Sequence, residues 1–269
     1  MRDRPVYYTL TGEPAPLLLT AIHDGPRVRD ELRDRFALSE AERLYEEDPH
    51  TATWARLRKP HLIGLHSRFE VDLNRGRDSA VYLEPDDAWG LTVWKERPSP
   101  EMIERSLQAY DEFYEAVRGF LSGVVDRYGS VVVYDIHSYN HRREENNREP
   151  ADPEKNPVVN VGTGNMNRTK WAPVVDAFIS GMRAHTVEGK PLDVRENVKF
   201  PGGHFNHWVH EEFPDVSCVL SIEFKKVFMD EHTNEVNQPV LRQLQNALSS
   251  TFEPVLTARE RVRQRHQVK

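Results

Sequence analysis

The stretch Val131-Val-Val-Tyr-Asp-Ile-His-Ser138 decides how the chain is read. Its first four residues form an unbroken, Val-rich apolar run. Such a run reads as a strand buried on both faces, the kind found in parallel sheets covered by helices. Just upstream, Ile103, Leu107, Tyr110, Tyr114, Val117, Leu121, Val124 and Tyr128 recur at alternating steps of four and three, which is the stripe of an amphipathic helix. Ser99 is placed to cap it, Pro100 suits its first turn, and Gly129 suits its stop.

Working outward, Leu17–Ile22, Leu62–Leu65 and Cys218–Phe224 are further short runs rich in Val, Ile and Leu, and read as strands. Helices are expected at Arg27–Phe36, Ser39–Glu46, Trp171–Arg183 and Pro239–Arg263, the second opening on the capping box Ser39-x-x-Glu42. Pro and Gly mark loops at Glu84–Asp87, Glu149–Pro157 and Pro201–Gly203. Strands alternating with helices imply an α/β fold with a mostly parallel sheet flanked by helices. No long linker interrupts the pattern, so a single domain over residues 1–269 is expected.

Composition narrows the function. Lys and Arg number 36 against 43 Asp and Glu, for a net charge of −7. That balance argues against a nucleic-acid binder, which needs a basic footprint. The basic pair Arg142-Arg143 and the tail Arg259–Lys269 are local exceptions, the tail reading as a solvated helical end. Mean hydropathy is −0.69, and no apolar run approaches the roughly 20 residues that span a bilayer. Met1-Arg-Asp-Arg-Pro5 lacks the apolar stretch of a secretory signal, and the lone Cys218 excludes an internal disulfide framework. The expectation is a cytoplasmic protein with no membrane partner. No oligomeric state is read from the sequence.

Polar residues collect where the apolar runs end. Leu17–Ile22 leads into His23-Asp24-Gly25, Leu62–Leu65 into His66-Ser67-Arg68 and then Asp72, Asn74 and Arg75, and Val131–Tyr134 into Asp135 and His137. In open α/β sheets these carboxyl ends line the ligand crevice. Glu223 sits inside the run Val219–Phe224, where a carboxylate is costly unless something pairs with it or raises its pKa. Histidines, acids and two arginines at matched strand ends suit a metallohydrolase that recognises carboxylates. Asn160-Val-Gly-Thr-Gly164 reads as a loop without the Gly-Lys-Ser/Thr ending of a nucleotide site. Gly202-Gly203-His204, His207 and His210 could shape a pocket or add a ligand.

His23-Asp-Gly, His66-Ser-Arg-Phe-Glu-Val-Asp-Leu-Asn-Arg75, Asp135-Ile-His-Ser138 and Ile222-Glu223, in this order and spacing, resemble the N-formylglutamate amidohydrolase family. The resemblance runs from about Leu17 to about Glu231. That family is related to the zinc carboxypeptidase and aspartoacylase group, which implies a mixed sheet flanked by helices of the carboxypeptidase/phosphorylase-hydrolase type. The resemblance implies Zn2+ held by His23 and His137, with Glu223 as general base. It also implies Asn74 and Arg75 on a substrate carboxylate, and Arg68 on a second carboxylate or on the scissile carbonyl. Asp135 is expected to orient His137. The related group takes its first ligands from His-x-x-Glu, but here Pro26 stands three after His23 and cannot coordinate. The third ligand then comes from Glu46-Glu47-Asp48-Pro49-His50, with Asp48 ranked first, Glu47 second and Asp24 third. The implied activity is hydrolysis of a small N-acyl amino acid, N-formyl-L-glutamate first. The alternatives are an amidase on another N-acyl amino acid, a carboxypeptidase-like peptidase, or a metal-free binding protein that kept the fold.

Overall fold

A computed structural model describes residues 5–142 and 151–267. Arg143 and the end of the basic tail lie outside the described residues, as does the start of the loop expected at Glu149–Pro157. The elements run in chain order as β1 (Tyr8–Thr11), β2 (Leu17–Ala21), α1 (Asp30–Arg33), α2 (Glu40–Glu46), α3 (Thr51–Ala55) and β3 (His61–Gly64). They continue with α4 (Pro100–Tyr128), β4 (Val131–Tyr139), β5 (Val159–Gly162), α5 (Arg168–Arg183), β6 (Thr186–Val187), β7 (Lys190–Pro191) and β8 (Val194–Glu196). The last are α6 (His204–Glu212), β9 (Ser217–Lys225), α7 (Gln238–Ser250) and α8 (Phe252–Gln267).

Seven strands form one sheet in the order β1-β3-β2-β4-β9-β5-β8, while β6 and β7 make a separate hairpin. The pairs β2–β3, β2–β4, β4–β9 and β5–β8 are parallel, and β1–β3 and β5–β9 are antiparallel. The sheet is therefore mixed and mostly parallel, as expected. Alternation along the central strands sends Leu17, Leu19, Tyr134, Leu220 and Ile222 to one face, beneath α3, α5, α7 and α8. Leu18, Val131, Val133 and Val219 face α4 and α6 on the other. Burial on both faces explains the unbroken apolar runs. Ser99 caps α4 by accepting from the Met102 amide, and Gly129 ends it at φ 73. The Ser39–Glu42 capping box starts α2.

Several expectations are corrected. The helix expected at Arg27–Phe36 shrinks to the single turn of α1. Arg27 is drawn into a bridge with His66 and Phe36 into one with Trp94, so tertiary pairing overrides the local pattern. The helix expected at Pro239–Arg263 is two helices. Thr251 donates its hydroxyl back to the Leu248 carbonyl, and Pro254 lacks the N–H that a continuous helix would bond to Ser250. The Glu84–Asp87 loop contains a short 3-10 turn, Pro85–Ala88. Asn160-Val-Gly is strand rather than loop: β5 packs so closely on residues 200–202 that a Cβ at Gly162 would lie 2.8 Å from their backbone. The basic tail is not wholly solvated. Arg259 is buried and donates to the carbonyls of Tyr128 and Ser130 at the end of α4. Among the described residues, no helix is long and apolar enough to cross a membrane.

Candidate metal centre

The carboxyl ends of β2, β3, β4 and β9 open into one cleft of about 300 Å³. His23, Asp48, Arg68, Asn74, Arg75, His137 and Glu223 all line it, so the structure brings every expected site residue to one place. Each arrives by a different route. His23 follows β2 directly. β4 continues through Tyr139, past the apolar run, so Asp135 and His137 sit within the strand rather than beyond it. Glu223 lies on β9, in register beside His137.

Asp48 comes from an irregular turn between α2 and α3. Its amide donates to the His23 carbonyl at 3.1 Å. The buried Lys226 ammonium donates to the carbonyls of Tyr45 (2.7 Å) and Glu47 (2.9 Å), which pins the turn against the end of β9. The other candidates for a third ligand turn away. Glu47 accepts a short hydrogen bond from the Ser67 hydroxyl, and burial pushes its carboxyl up to about 7. Asp24 accepts from the Ala52 amide at 2.9 Å.

One ligand atom each from His23, Asp48 and His137 lies within 4.8 Å of the others, the one such group among the described residues. All three side chains are buried. Nδ1 of His137 is 2.9 Å from Asp48 Oδ2, and Nδ1 of His23 is 3.5 Å from the same oxygen. The opposite nitrogens are held from behind. Nε2 of His23 meets Asp72 Oδ1 at 2.7 Å, and Nε2 of His137 meets Asp135 Oδ2 at 3.0 Å. Asp135 and His137 share a face because side chains alternate along a strand. A carboxylate behind each imidazole is the usual support of a metal ligand, since it fixes the ring and its tautomer.

The electrostatics favour positive charge here. Burial alone would raise the Asp48 carboxyl, but the His137 hydrogen bond and the neighbouring His23 imidazole outweigh it and hold it below the usual range. Burial opposes a charged His137, yet Asp135, Asp48 and Glu223 together push its imidazole well above the ordinary value. Glu223 is raised to about 8, chiefly by burial and further by Asp48 and Asp135, against the opposing pull of His137 and Arg68.

His23 Nδ1 is buried with no hydrogen-bond partner. Buried polar atoms are nearly always satisfied, so an orphan aimed at a carboxylate and a second imidazole asks for a ligand. Two imidazole nitrogens and one carboxylate oxygen form a donor set that fits a catalytic zinc ion.

The cations flank this group. Arg68 donates to Asp72 at 2.7 Å, so one carboxylate steadies both His23 and Arg68, and the Tyr82 hydroxyl donates to it as well. Arg68 Nε is a second buried orphan. Among the described residues, the one hydrogen bond of the Arg75 guanidinium is a long one, 3.4 Å, to the Asp87 carbonyl. Asn74 accepts from the Phe205 amide at the start of α6, which leaves its NH2 for the cleft. Gly202 and Gly203 line the cleft, but the nearby histidines do not. His204 meets the Tyr110 hydroxyl, His207 is exposed, and His210 bonds Asn165 and the Val219 amide. The Lys225 ammonium, two residues beyond Glu223, donates to the Asn156 carbonyl. Sequence reasoning passes over Trp89 and Lys226, which also line the cleft, and the role of Asp72. Asp72 is visible in the motif, but nothing in its spacing says which histidine it serves.

A family model described as N-formylglutamate amidohydrolase matches residues 15–228. The crystal structure of an N-formylglutamate amidohydrolase from Ralstonia eutropha JMP134 superposes with a TM-score of 0.71 at 19% identity, over 96% of this chain and 98% of that one. A gene product of Agrobacterium tumefaciens superposes at 0.64 and 18% identity, over 93% and 96%. At such identities the likeness is one of fold. No curated protein matches the sequence.

Proposed function

We propose, on the premise that the chain belongs to the N-formylglutamate amidohydrolase family, that it is a zinc-dependent hydrolase of N-acyl amino acids. The leading reaction is N-formyl-L-glutamate to formate and L-glutamate. One observation carries this reading. An orphaned imidazole nitrogen, a second imidazole and a carboxylate meet in the same cleft as a raised carboxyl and two arginines.

His23 and His137 through Nδ1, and Asp48 through a carboxylate oxygen, would hold the zinc. When bound, zinc supplies Lewis-acid chemistry, polarising a carbonyl and making water a nucleophile near neutral pH. Glu223 accepts a proton of the attacking water and later delivers it to the departing amine nitrogen, so that the water's hydroxyl joins the acyl carbon as the C–N bond breaks and its proton leaves on the amine. Asp72 and Asp135 keep the two imidazoles in the tautomer that presents Nδ1. Arg75 offers a planar fork to the α-carboxylate, with the Asn74 NH2 beside it. Arg68, fixed by Asp72, meets the second carboxylate or the carbonyl oxygen.

We take the whole chain as one amidohydrolase-like domain working in the cytoplasm, where a lone buried thiol such as Cys218 stays reduced. The test is turnover of N-formyl-L-glutamate, other N-acyl amino acids and short peptides, with and without added zinc. Zinc-dependent release of formate is expected. Cleavage of peptides alone would move the enzyme to a peptidase, and a zinc-free protein inert on the whole panel would return it to a binding role.

A further inference from the structure

Trp89 sits where an apolar side chain has no stabilising reason to be. It is 50% exposed, beside a cleft otherwise lined mainly by polar groups. Its backbone is left-handed, at φ 54 and ψ 28, on a turn completed by Gly90 at φ 92. For a bulky residue that conformation is strained, and such strain gathers at functional sites.

The ring's neighbours give the strain a use. The Arg68 guanidinium lies over it at 4.9 Å from the centroid, and the Arg75 guanidinium, shared with the Tyr82 ring at 5.6 Å, at 5.9 Å. Its edge packs on Tyr82 at 5.9 Å and 71°, and the Tyr82 hydroxyl is bonded to the carboxylate that fixes Arg68. Among the described residues no carboxylate pairs with Arg75. Two guanidinium groups sharing a small space repel one another, and the negative face of an indole is the group best suited to hold both.

We propose that Trp89 is a positioning residue that sets selectivity for substrates with two carboxylates. By holding Arg68 and Arg75 against one ring, it keeps both forks turned to the cleft at a fixed separation. A dicarboxylate engages both forks at once, whereas a monocarboxylate uses one and gains little from their spacing. This assignment rests on the reading of Arg68 and Arg75 as the substrate clamp, but not on turnover.

Calorimetric binding of glutarate and butyrate therefore tests it separately from the activity. In the Trp89→Ala variant the glutarate Kd should rise at least about fivefold, the worth of a modest cation–π pair, while butyrate binding shifts less than about twofold. Trp89→Phe should stay within about twofold of the wild type, and Trp89→Leu, which keeps bulk without a π face, should behave like Trp89→Ala. Zinc content should be unchanged in all three. Equal losses on both ligands, an unchanged glutarate Kd, or a leucine variant as good as the phenylalanine one would overturn the proposal. A wild type that binds glutarate yet hydrolyses no N-acyl amino acid would contradict the proposed activity and leave the role of Trp89 standing.

Discussion

Two buried polar clusters meet the segment His66–Arg75 a few residues apart, at Glu70 and at Arg68 with Asp72, and they are built from the same kinds of side chain. In the first, Glu70 accepts from the Tyr7 hydroxyl (2.6 Å), Arg29 Nε (2.7 Å), the Arg29 amide (2.9 Å) and His66 Nδ1 (3.1 Å). Arg29 also reaches Ser106 and the Met102 carbonyl on α4. Both carboxylate oxygens are filled, so the cluster stitches the 27–33 segment to the long helix. In the second, His23, Asp48 and His137 are just as buried and Arg68 nearly so, yet His23 Nδ1 and Arg68 Nε have no hydrogen-bond partner. Composition does not separate a structural cluster from a working one. What separates them is whether the buried donors and acceptors are already satisfied.

Glu223→Gln should have the largest effect in the unsatisfied cluster. It keeps the shape but removes the proton acceptor, so kcat should fall by about 10²–10⁴ with zinc still bound. Steady-state kinetics with metal analysis checks it, and near-normal turnover would remove Glu223 from the mechanism. In the satisfied cluster, Glu70→Gln sets an NH2 among donors and leaves Arg29 with Glu31 as its remaining counter-charge. Denaturant unfolding should show a loss of about 3 kcal/mol, while zinc binding is unchanged. If Glu70→Gln also releases zinc, the two clusters are not independent.

A second satisfied histidine sharpens the point through pH. His210 is held neutral between Asn165 and the Val219 amide, and burial, reinforced by His207, pushes its pKa down to about 4. The unfolded chain takes up a proton on this histidine near pH 6.5 and the folded one does not. Its stabilising contribution is therefore complete above about pH 6.5 and is lost progressively as the pH falls toward 4, by up to about 3 kcal/mol. Stability curves of the wild type should show this acid loss, and His210→Gln should flatten it. The smallest effect concerns Arg75, whose fork is nearly free. Arg75→Lys keeps the charge but not the bidentate geometry, and should lower kcat/KM for N-formyl-L-glutamate by more than about tenfold, with the loss shrinking on the α-amide. Equal losses on acid and amide would end the carboxylate role.

How much of this was legible in the sequence follows the same division. Strands buried on both faces announce themselves by apolar runs, and α4 by its stripe and caps. β4 is harder to bound, because Asp135 and His137 interrupt the apolar run although they stay buried on partners supplied by Asp48 and Thr20. The short strands β1, β5 and β8 and the turn of α3 have too few residues to show a period. His23, His137, Glu223, Asn74 and Arg75 sit in recognisable motifs, and their convergence follows from the strand order. Asp48 belongs to no regular element, so its place depends on Lys226 and the His23 carbonyl, contacts that no local pattern encodes. Trp89 is invisible for the same reason.

Zinc titration of chelator-stripped protein tests the contrast between the clusters most directly. The wild type and His66→Asn should each bind one equivalent, and His23→Ala should bind none under the same conditions. A wild type that binds no zinc, or a His66→Asn variant that loses it as fully as His23→Ala, would contradict the assignment of the unsatisfied cluster as the metal centre.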